Sequence, residues 1–492
     1  VRALADAVRT ARPDAIVAID EEGGDVTRIH YATGAPHPGA AVLGRADDLA
    51  WTRTVGERVG RDVRAVGATL TFGPVADVNV DPRNPVIGVR SFGADGALAS
   101  RHVAAWIEGV QSTGVAASAK HFPGHGDTAV DSHLGLPVVH APEHVLRARE
   151  LAPFRAAIAA GVATIMTSHI VLPALDDVPA TLSRRILQGL LRGELGFDGV
   201  IVSDALDMAG ASAATGIPEA AVRALAAGCD LLCLGTATGA EGMAAIEDAV
   251  VAAVADGRLA RARLAEAAAR VRALAAAATT QLGRDARAGD ALAEDPLASV
   301  DDAELDRIVA TFALSDRARV WLQRFHGADR TASIVRIEGA ANIAAGAVPW
   351  DPFDASVVVE PGAVPELEPG PVVVVGKDLE RGDASRATIA ALRSQHDVLA
   401  IDLGWSTGAV ADVATFGASA ATGAGSPSPV LAVEVADAPR RWMICAVPAG
   451  HGVSCTFTAP SASVQRNTTA SSADAGSDST IDSTTDIRSF IR

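Results

Sequence analysis

The stretch Lys120-His121-Phe122-Pro123-Gly124-His125-Gly126-Asp127-Thr128, followed at once by Asp131-Ser132-His133, decides how this chain folds. Three histidines, two aspartates and a lysine fall within fourteen positions, laced with Gly and Pro. So many titratable groups among so few apolar ones make a loop, not a core. The residues just before it, 115–119, are Val-Ala-Ala-Ser-Ala and read as the end of a buried strand. Charged groups on a Gly-rich loop at the C-terminal end of a strand are where α/β enzymes carry their chemistry.

Working outward, the same pattern repeats. Strand-like runs occupy 15–19, 68–72, 115–119, 163–167, 199–203 and 230–234, separated by Ala/Leu/Arg-rich helical stretches such as 49–66 and 219–227. The runs are short and nearly continuously apolar, as strands of a parallel sheet covered on both faces must be. Repeated β-then-α units of this kind fit a (β/α)8 barrel; periodicity alone also leaves a doubly wound sheet open. Most of the runs end in a polar cluster: Asp20-Glu21-Glu22-Gly23-Gly24, Gly73-Pro74-Val75-Ala76-Asp77, Ser168-His169, and Asp204-Ala205-Leu206-Asp207-Met208. In a barrel these ends meet at one face, around one pocket.

Two of the clusters suggest chemistry. Asp131 and His133 are two apart, so on extended backbone their side chains share a side, and the carboxylate is placed to orient the imidazole as a general acid/base. An isolated Asp-x-His is more often a solvated loop pair. Asp204 ends the apolar run Val200-Ile201-Val202-Ser203; residue type alone leaves it equally a helix cap or a nucleophile.

The whole string Lys120-His121-Phe122-Pro123-Gly124, then Gly126-Asp127, then Asp131-Ser132-His133, resembles the signature of glycoside hydrolase family 3, in its branch of bacterial β-N-acetylglucosaminidases. Val202-Ser203-Asp204-Ala205-Leu206-Asp207-Met208 is similar to the context of that family's catalytic Asp. The resemblance implies a (β/α)8 barrel followed by a smaller α/β sandwich, with the barrel's first strand lying upstream of Val1. It implies a retaining exo-glycosidase in which Asp204 is the nucleophile, His133 the acid/base and Asp131 its orienting partner. It also implies sugar-binding roles for Asp20, Arg28, Arg90, Lys120 and His121, with His169 on the pocket wall. No cofactor and no metal are expected. One departure stands out: Asp25 follows Glu22-Gly23-Gly24 where many relatives carry Arg, as in an actinobacterial subset acting on N-acetylglucosaminides and glucosides, some of them phosphorylases. A histidine acid/base does not repel a phosphate dianion as a carboxylate would, so phosphate is an alternative acceptor to water.

Composition fits that frame. The chain has 492 residues, 49% hydrophobic and 21% charged, enough for two or three domains and a sizeable core. A net charge of −17 disfavours nucleic acid and anionic membrane as partners, and no apolar run reaches the length that spans a bilayer. Cys229, Cys233, Cys445 and Cys455 lack zinc-finger spacing and read as small core residues of a reducing, cytoplasmic compartment; a lost N-terminal leader leaves secretion open.

The expected organisation is a catalytic barrel over 1–280, with the Ala-rich helical stretch 240–277 closing it, and a linker over 281–300. An α/β sandwich over 301–435 follows, with strands at 333–337, 356–359, 372–375 and 398–401 and a helix at 384–393. A tail over 436–492 ends it. Residues 461–485 are almost all Ser, Thr, Asp and Ala and are expected to be disordered. The sandwich shows no catalytic group and reads as structural or oligomer-forming. A small carbohydrate is the expected partner, its identity (peptidoglycan fragment, chitin oligomer or glucoside) left open along with the oligomeric state. A dual-specificity β-glucosidase and a non-catalytic sugar-binding relic are the competing functions. A relic has no reason to keep Asp131, His133 and Asp204 together.

Overall fold

The computed structural model describes residues 1–128, 135–236, 238–285, 300–325, 332–339, 344–345 and 357–424. Its first half is built on five parallel strands in chain order: β1 (Ala18–Ile19), β2 (Leu70–Thr71), β3 (Ala116–Phe122), β4 (Thr164–Thr167) and β5 (Val200–Val202). After β5 the backbone returns beside it, where Leu231 bridges Val202 in parallel. That is all the sheet structure formed by the expected strand at 230–234. Every residue of β2, β4 and β5 is buried, which is why these runs read as continuously apolar.

The helices between the strands supply the outer layer. The helix Leu49–Ala65 starts at Asp48, whose side chain accepts from the Trp51 amide and satisfies one of the free N–H groups of the first turn. Val55, Val59 and Val63 recur every four residues and are fully buried, each contributing about 1.5–3 kcal/mol. This helix lies against Gly96–Ser112 closely enough that glycines are required at the contact. A Cβ on Gly109 would come within 2.2 Å of Arg53 O, and one on Gly56 within 2.6 Å of Trp106 O. The core thus formed gathers Trp106, Phe122, Phe154, Ile165 and Leu187. The Ala-rich stretch expected at 240–277 is two helices, Ala240–Ala255 and Arg261–Asp285, parted by a turn at Asp256-Gly257. The second helix runs on into the segment expected to be linker.

The second half carries a six-stranded sheet: β6 (Ala313–Leu314), β7 (Ser333–Ile337), β8 (Val357–Val359), β9 (Pro371–Gly376), β10 (Asp397–Asp402) and β11 (Val413–Ala414). Their order is β6-β11-β10-β9-β7-β8, with β6 alone antiparallel. Alternation sorts the two faces. Val372, Val374, Val398 and Ala400 pack with Ile389 and Leu392 of the helix Asp383–Gln395. Val373, Val375, Leu399 and Ile401 join the core of the first half. The chain is therefore α/β, a (β/α) barrel-type domain followed by an α/β sandwich. Trp51 Nε1 donates to Glu304 Oε1 at 3.0 Å and Arg58 Nη1 to Glu304 Oε2 at 2.6 Å, tying the start of the second half to the barrel's outer helix. Asp25 reaches the sandwich, accepting from the Ala418 amide at 2.7 Å and pairing with Lys377. Among the described residues no helix is long and apolar enough to cross a membrane.

Candidate active site

Parallel strands point their C-terminal ends the same way, so the polar residues that follow β1, β3 and β5 arrive at one face. They line a pocket of 180 Å³ with Asp20, Glu22, Arg28, Arg90, Lys120, His121, His125 and Asp204 among its walls. Phe72, Met166, Met208 and Cys233 supply an apolar lining. The volume lies below the roughly 300–1,000 Å³ of sites for drug-sized ligands and suits a small polar molecule.

Glu22 organises the cations. Arg90 grips it with two bonds, Nε to Oε2 at 2.9 Å and Nη2 to Oε1 at 2.7 Å. Lys120 Nζ lies 2.7 Å from Glu22 Oε1 and 3.0 Å from Asp20 Oδ1. All three of Glu22, Arg90 and Lys120 are buried. Burial opposes the charge on Glu22, but Arg90 and Lys120 outweigh it and hold the carboxyl well below the usual range. Burial likewise opposes the charge on Lys120, and Glu22 and Asp20 outweigh it, raising the ammonium above its ordinary value. Glu22, Arg90 and Lys120 therefore hold one another in their charged forms.

Asp77 organises the imidazoles. Its Oδ2 accepts from His121 Nδ1 at 2.7 Å, and its Oδ1 accepts from the His125 amide at 2.7 Å. A carboxylate only accepts, so His121 carries its proton on Nδ1 and leaves Nε2 for the pocket. Burial pushes His125 down to about 4, against the pull of Asp77, so its ring is neutral.

Asp204 stands two residues beyond β5, lines the pocket and is partly exposed. Burial alone raises its carboxyl. His121, His169, the Ala205 amide bonded to Oδ1 at 2.8 Å, and Lys120 more than reverse that, and its value lies below the ordinary one. An anionic carboxylate thus stands in a pocket of charged donors, and among the described residues no cation pairs with it directly, the condition an attacking carboxylate needs.

Of the residues singled out in the sequence, Asp20, Arg28, Arg90, Lys120, His121 and Asp204 are brought together in this pocket. His169 is fully buried and is not among the residues lining it. Its Nε2 bonds Ala205 O at 2.9 Å and its Nδ1 bonds Thr181 Oγ1 at 2.9 Å, so it supports the loop that carries Asp204. Asp131 and His133 lie outside the described residues, as do Cys445 and Cys455. Among the other pocket residues, not singled out as site residues, are Glu22, His125, Cys233 and, from the second half, Ala344, whose carbonyl accepts from Arg28 Nη2 at 2.5 Å. Asp77, which holds two of the pocket's residues, was not singled out either. Glu22 was within reach, since it stands two residues after Asp20 and extended backbone puts both on one side.

The chain is similar to known proteins in sequence and in fold. Residues 2–274 match the family model described as the glycosyl hydrolase family 3 N terminal domain. A beta-hexosaminidase of Pseudomonas aeruginosa is 39% identical over 257 residues, covering 50% of this chain and 74% of that protein. The solved structure of a glycoside hydrolase family 3 beta-N-acetylglucosaminidase from Paenibacillus superposes with a TM-score of 0.71 at 30% identity, covering 86% of each chain. A beta-glucoside phosphorylase shares the fold, with a TM-score of 0.64 at 21% identity over 86% of this chain and 83% of its own.

Proposed function

The chain belongs to glycosyl hydrolase family 3, an enzyme acting on carbohydrates, and on that premise we propose that it is an exo-acting, retaining β-N-acetylglucosaminidase. The observation that carries this is Asp204, an anionic carboxylate just beyond β5 in a pocket also lined by Asp20, Glu22, Arg90, Lys120 and His121. Carboxylates and the bare Nε2 of His121 accept from sugar hydroxyls, and Lys120 donates to them, so one sugar ring is held by charge-assisted bonds. Phe72, Met166 and Met208 offer its faces an apolar surface.

In the first step an Asp204 oxygen attacks the anomeric carbon, and the bond from that carbon to the leaving oxygen breaks. His133, held in the required tautomer by Asp131, gives its proton to that oxygen. A glycosyl ester on Asp204 results. In the second step His133 takes a proton from water, the water oxygen attacks the anomeric carbon, and the ester bond to Asp204 breaks. Two inversions return the β-configuration.

Turnover of p-nitrophenyl β-N-acetylglucosaminide, with and without inorganic phosphate, tests this. Free N-acetylglucosamine under both conditions supports hydrolysis. Sugar 1-phosphate appearing only with phosphate replaces water by phosphate as the acceptor on the same Asp204. Faster turnover of the matched glucoside overturns the N-acetyl specificity, and no product from either glycoside overturns the enzymatic role.

A further inference from the structure

Outside the pocket, the loop that leaves β1 returns to the helix Leu49–Ala65 through two histidines. His30 Nε2 and His37 Nε2 both reach the same oxygen, Asp62 Oδ2, at 2.9 Å and 2.8 Å. The two rings meet edge-on, at 87°. The imidazoles are nearly sealed, with 8% and 4% of their surface exposed, while 22% of Asp62 remains open to solvent. One ligand atom from each of the three lies within 4.8 Å of the others, and among the described residues no other group of three such side chains converges this way.

We propose that His30, His37 and Asp62 form a site for a divalent cation of the zinc class, which fastens the loop bearing Arg28 to the barrel's outer helix. Two imidazole nitrogens and one carboxylate oxygen suit zinc and its borderline neighbours; magnesium and calcium take oxygen ligands. A tetrahedral zinc with bonds of about 2.0–2.1 Å spaces its ligand atoms roughly 3.3 Å apart. The observed N···O separations need open by only about half an ångström to admit it. The exposed edge of Asp62 is the way in, and it leaves the fourth position to water. Sequence spacing hides the site, because the third ligand comes from a different element from the two histidines.

The loop's remaining bonds show what the cation would act on. Its two ends touch: the Gly24 amide donates to His37 O at 3.2 Å, and a Cβ on Gly24 would sit 2.4 Å from Gly39 Cα. Between them, the Glu21 carboxyl accepts from the amides of Arg28 at 3.0 Å and Ile29 at 3.1 Å. Arg28, which lines the pocket, therefore stands between the Glu21 anchor and His30. A cation there stiffens the wall that Arg28 belongs to, without touching the reacting atoms.

The full chain, stripped with a chelator and dialysed, is titrated with zinc chloride while bound metal and thermal midpoint are measured. One zinc per chain with a raised midpoint, and no rise with magnesium at the same concentration, is expected. Asp62→Asn keeps an acceptor for both imidazoles and so folds, but weakens zinc binding at least tenfold, on the order of what losing an outer-shell partner alone costs. His37→Gln loses the zinc-dependent rise as well; if it fails to fold, Asp62→Asn decides alone. No zinc bound by the native chain, or undiminished binding by Asp62→Asn, overturns the proposal. Neither readout depends on glycosidase activity.

Discussion

The two sheets of this protein place acidic residues at equivalent points and use them differently. In the barrel, Asp20, Glu22 and Asp204 follow the C-terminal ends of β1 and β5 and face side chains across a cavity. In the sandwich, Asp402 ends β10, and its two oxygens accept from the amides of Asp378 at 2.8 Å, Leu379 at 3.1 Å and Gly404 at 2.7 Å. Glu380, just beyond β9, accepts from the Thr407 amide at 2.8 Å and the Ser406 hydroxyl at 2.8 Å. These two sandwich carboxylates knit loops to backbone, with most of their acceptor positions taken by amides and hydroxyls of the chain. In the barrel, Lys120 and Arg90 hold Asp20 and Glu22, the Ala205 amide holds Asp204, and all three carboxylates line the pocket. What separates a working carboxylate from a structural one is its partners, not its position on the strand.

The contrast is sharpest at Asp204. Asp204→Asn removes the attacking anion and is expected to lower kcat on the order of 10⁴-fold or more on both activated and unactivated glycosides, with little change in thermal midpoint. Steady-state kinetics together with a melting curve check it. Glu22→Gln comes next. It leaves Arg90 and Lys120 buried without their shared anion, and breaking such a buried pair costs about 3–5 kcal/mol. Stability and KM are expected to worsen together, since the same cations line the pocket; denaturant titration alongside kinetics tests this.

His125 gives a pH signature of similar size. Its folded value is about 4, below the ordinary histidine value of about 6.5. The unfolded chain therefore takes the proton first. The stabilisation from keeping His125 neutral is full above about pH 6.5 and is lost as pH falls toward 4, up to about 3 kcal/mol in all. His125→Gln should flatten the stability curve between those pH values and leave it unchanged above them. Asp402→Asn should have the smallest effect. Replacing an acceptor by an amide before three backbone N–H groups costs about 1–3 kcal/mol, with kcat untouched. A fall in kcat as large as that of Asp204→Asn would erase the distinction between the two sheets.

Much of this was legible in the sequence because burial on both faces leaves a continuous apolar run. The strands expected at 115–119, 163–167, 199–203 and 333–337 overlap β3, β4, β5 and β7, and polar residues at the ends of the barrel strands converge. β6 and β11, two residues each, are too short for any periodicity, and they pair only because the chain brings them together. The grip of Arg90 on Glu22 and the support His169 gives to Ala205 join different strands, so no local pattern announces them. The second half's part in the pocket, through Ala344, comes from a main-chain carbonyl, a group that residue type does not reveal.

The central claim, that Asp204 takes the sugar, is tested most directly by trapping. The native enzyme is incubated with 5-fluoro-N-acetylglucosaminyl fluoride, digested, and mapped by mass spectrometry. The account predicts one added glycosyl group, on the peptide that contains Asp204. A glycosyl group on Asp20 or Glu22 instead, or no adduct while the reagent is being turned over, would contradict it.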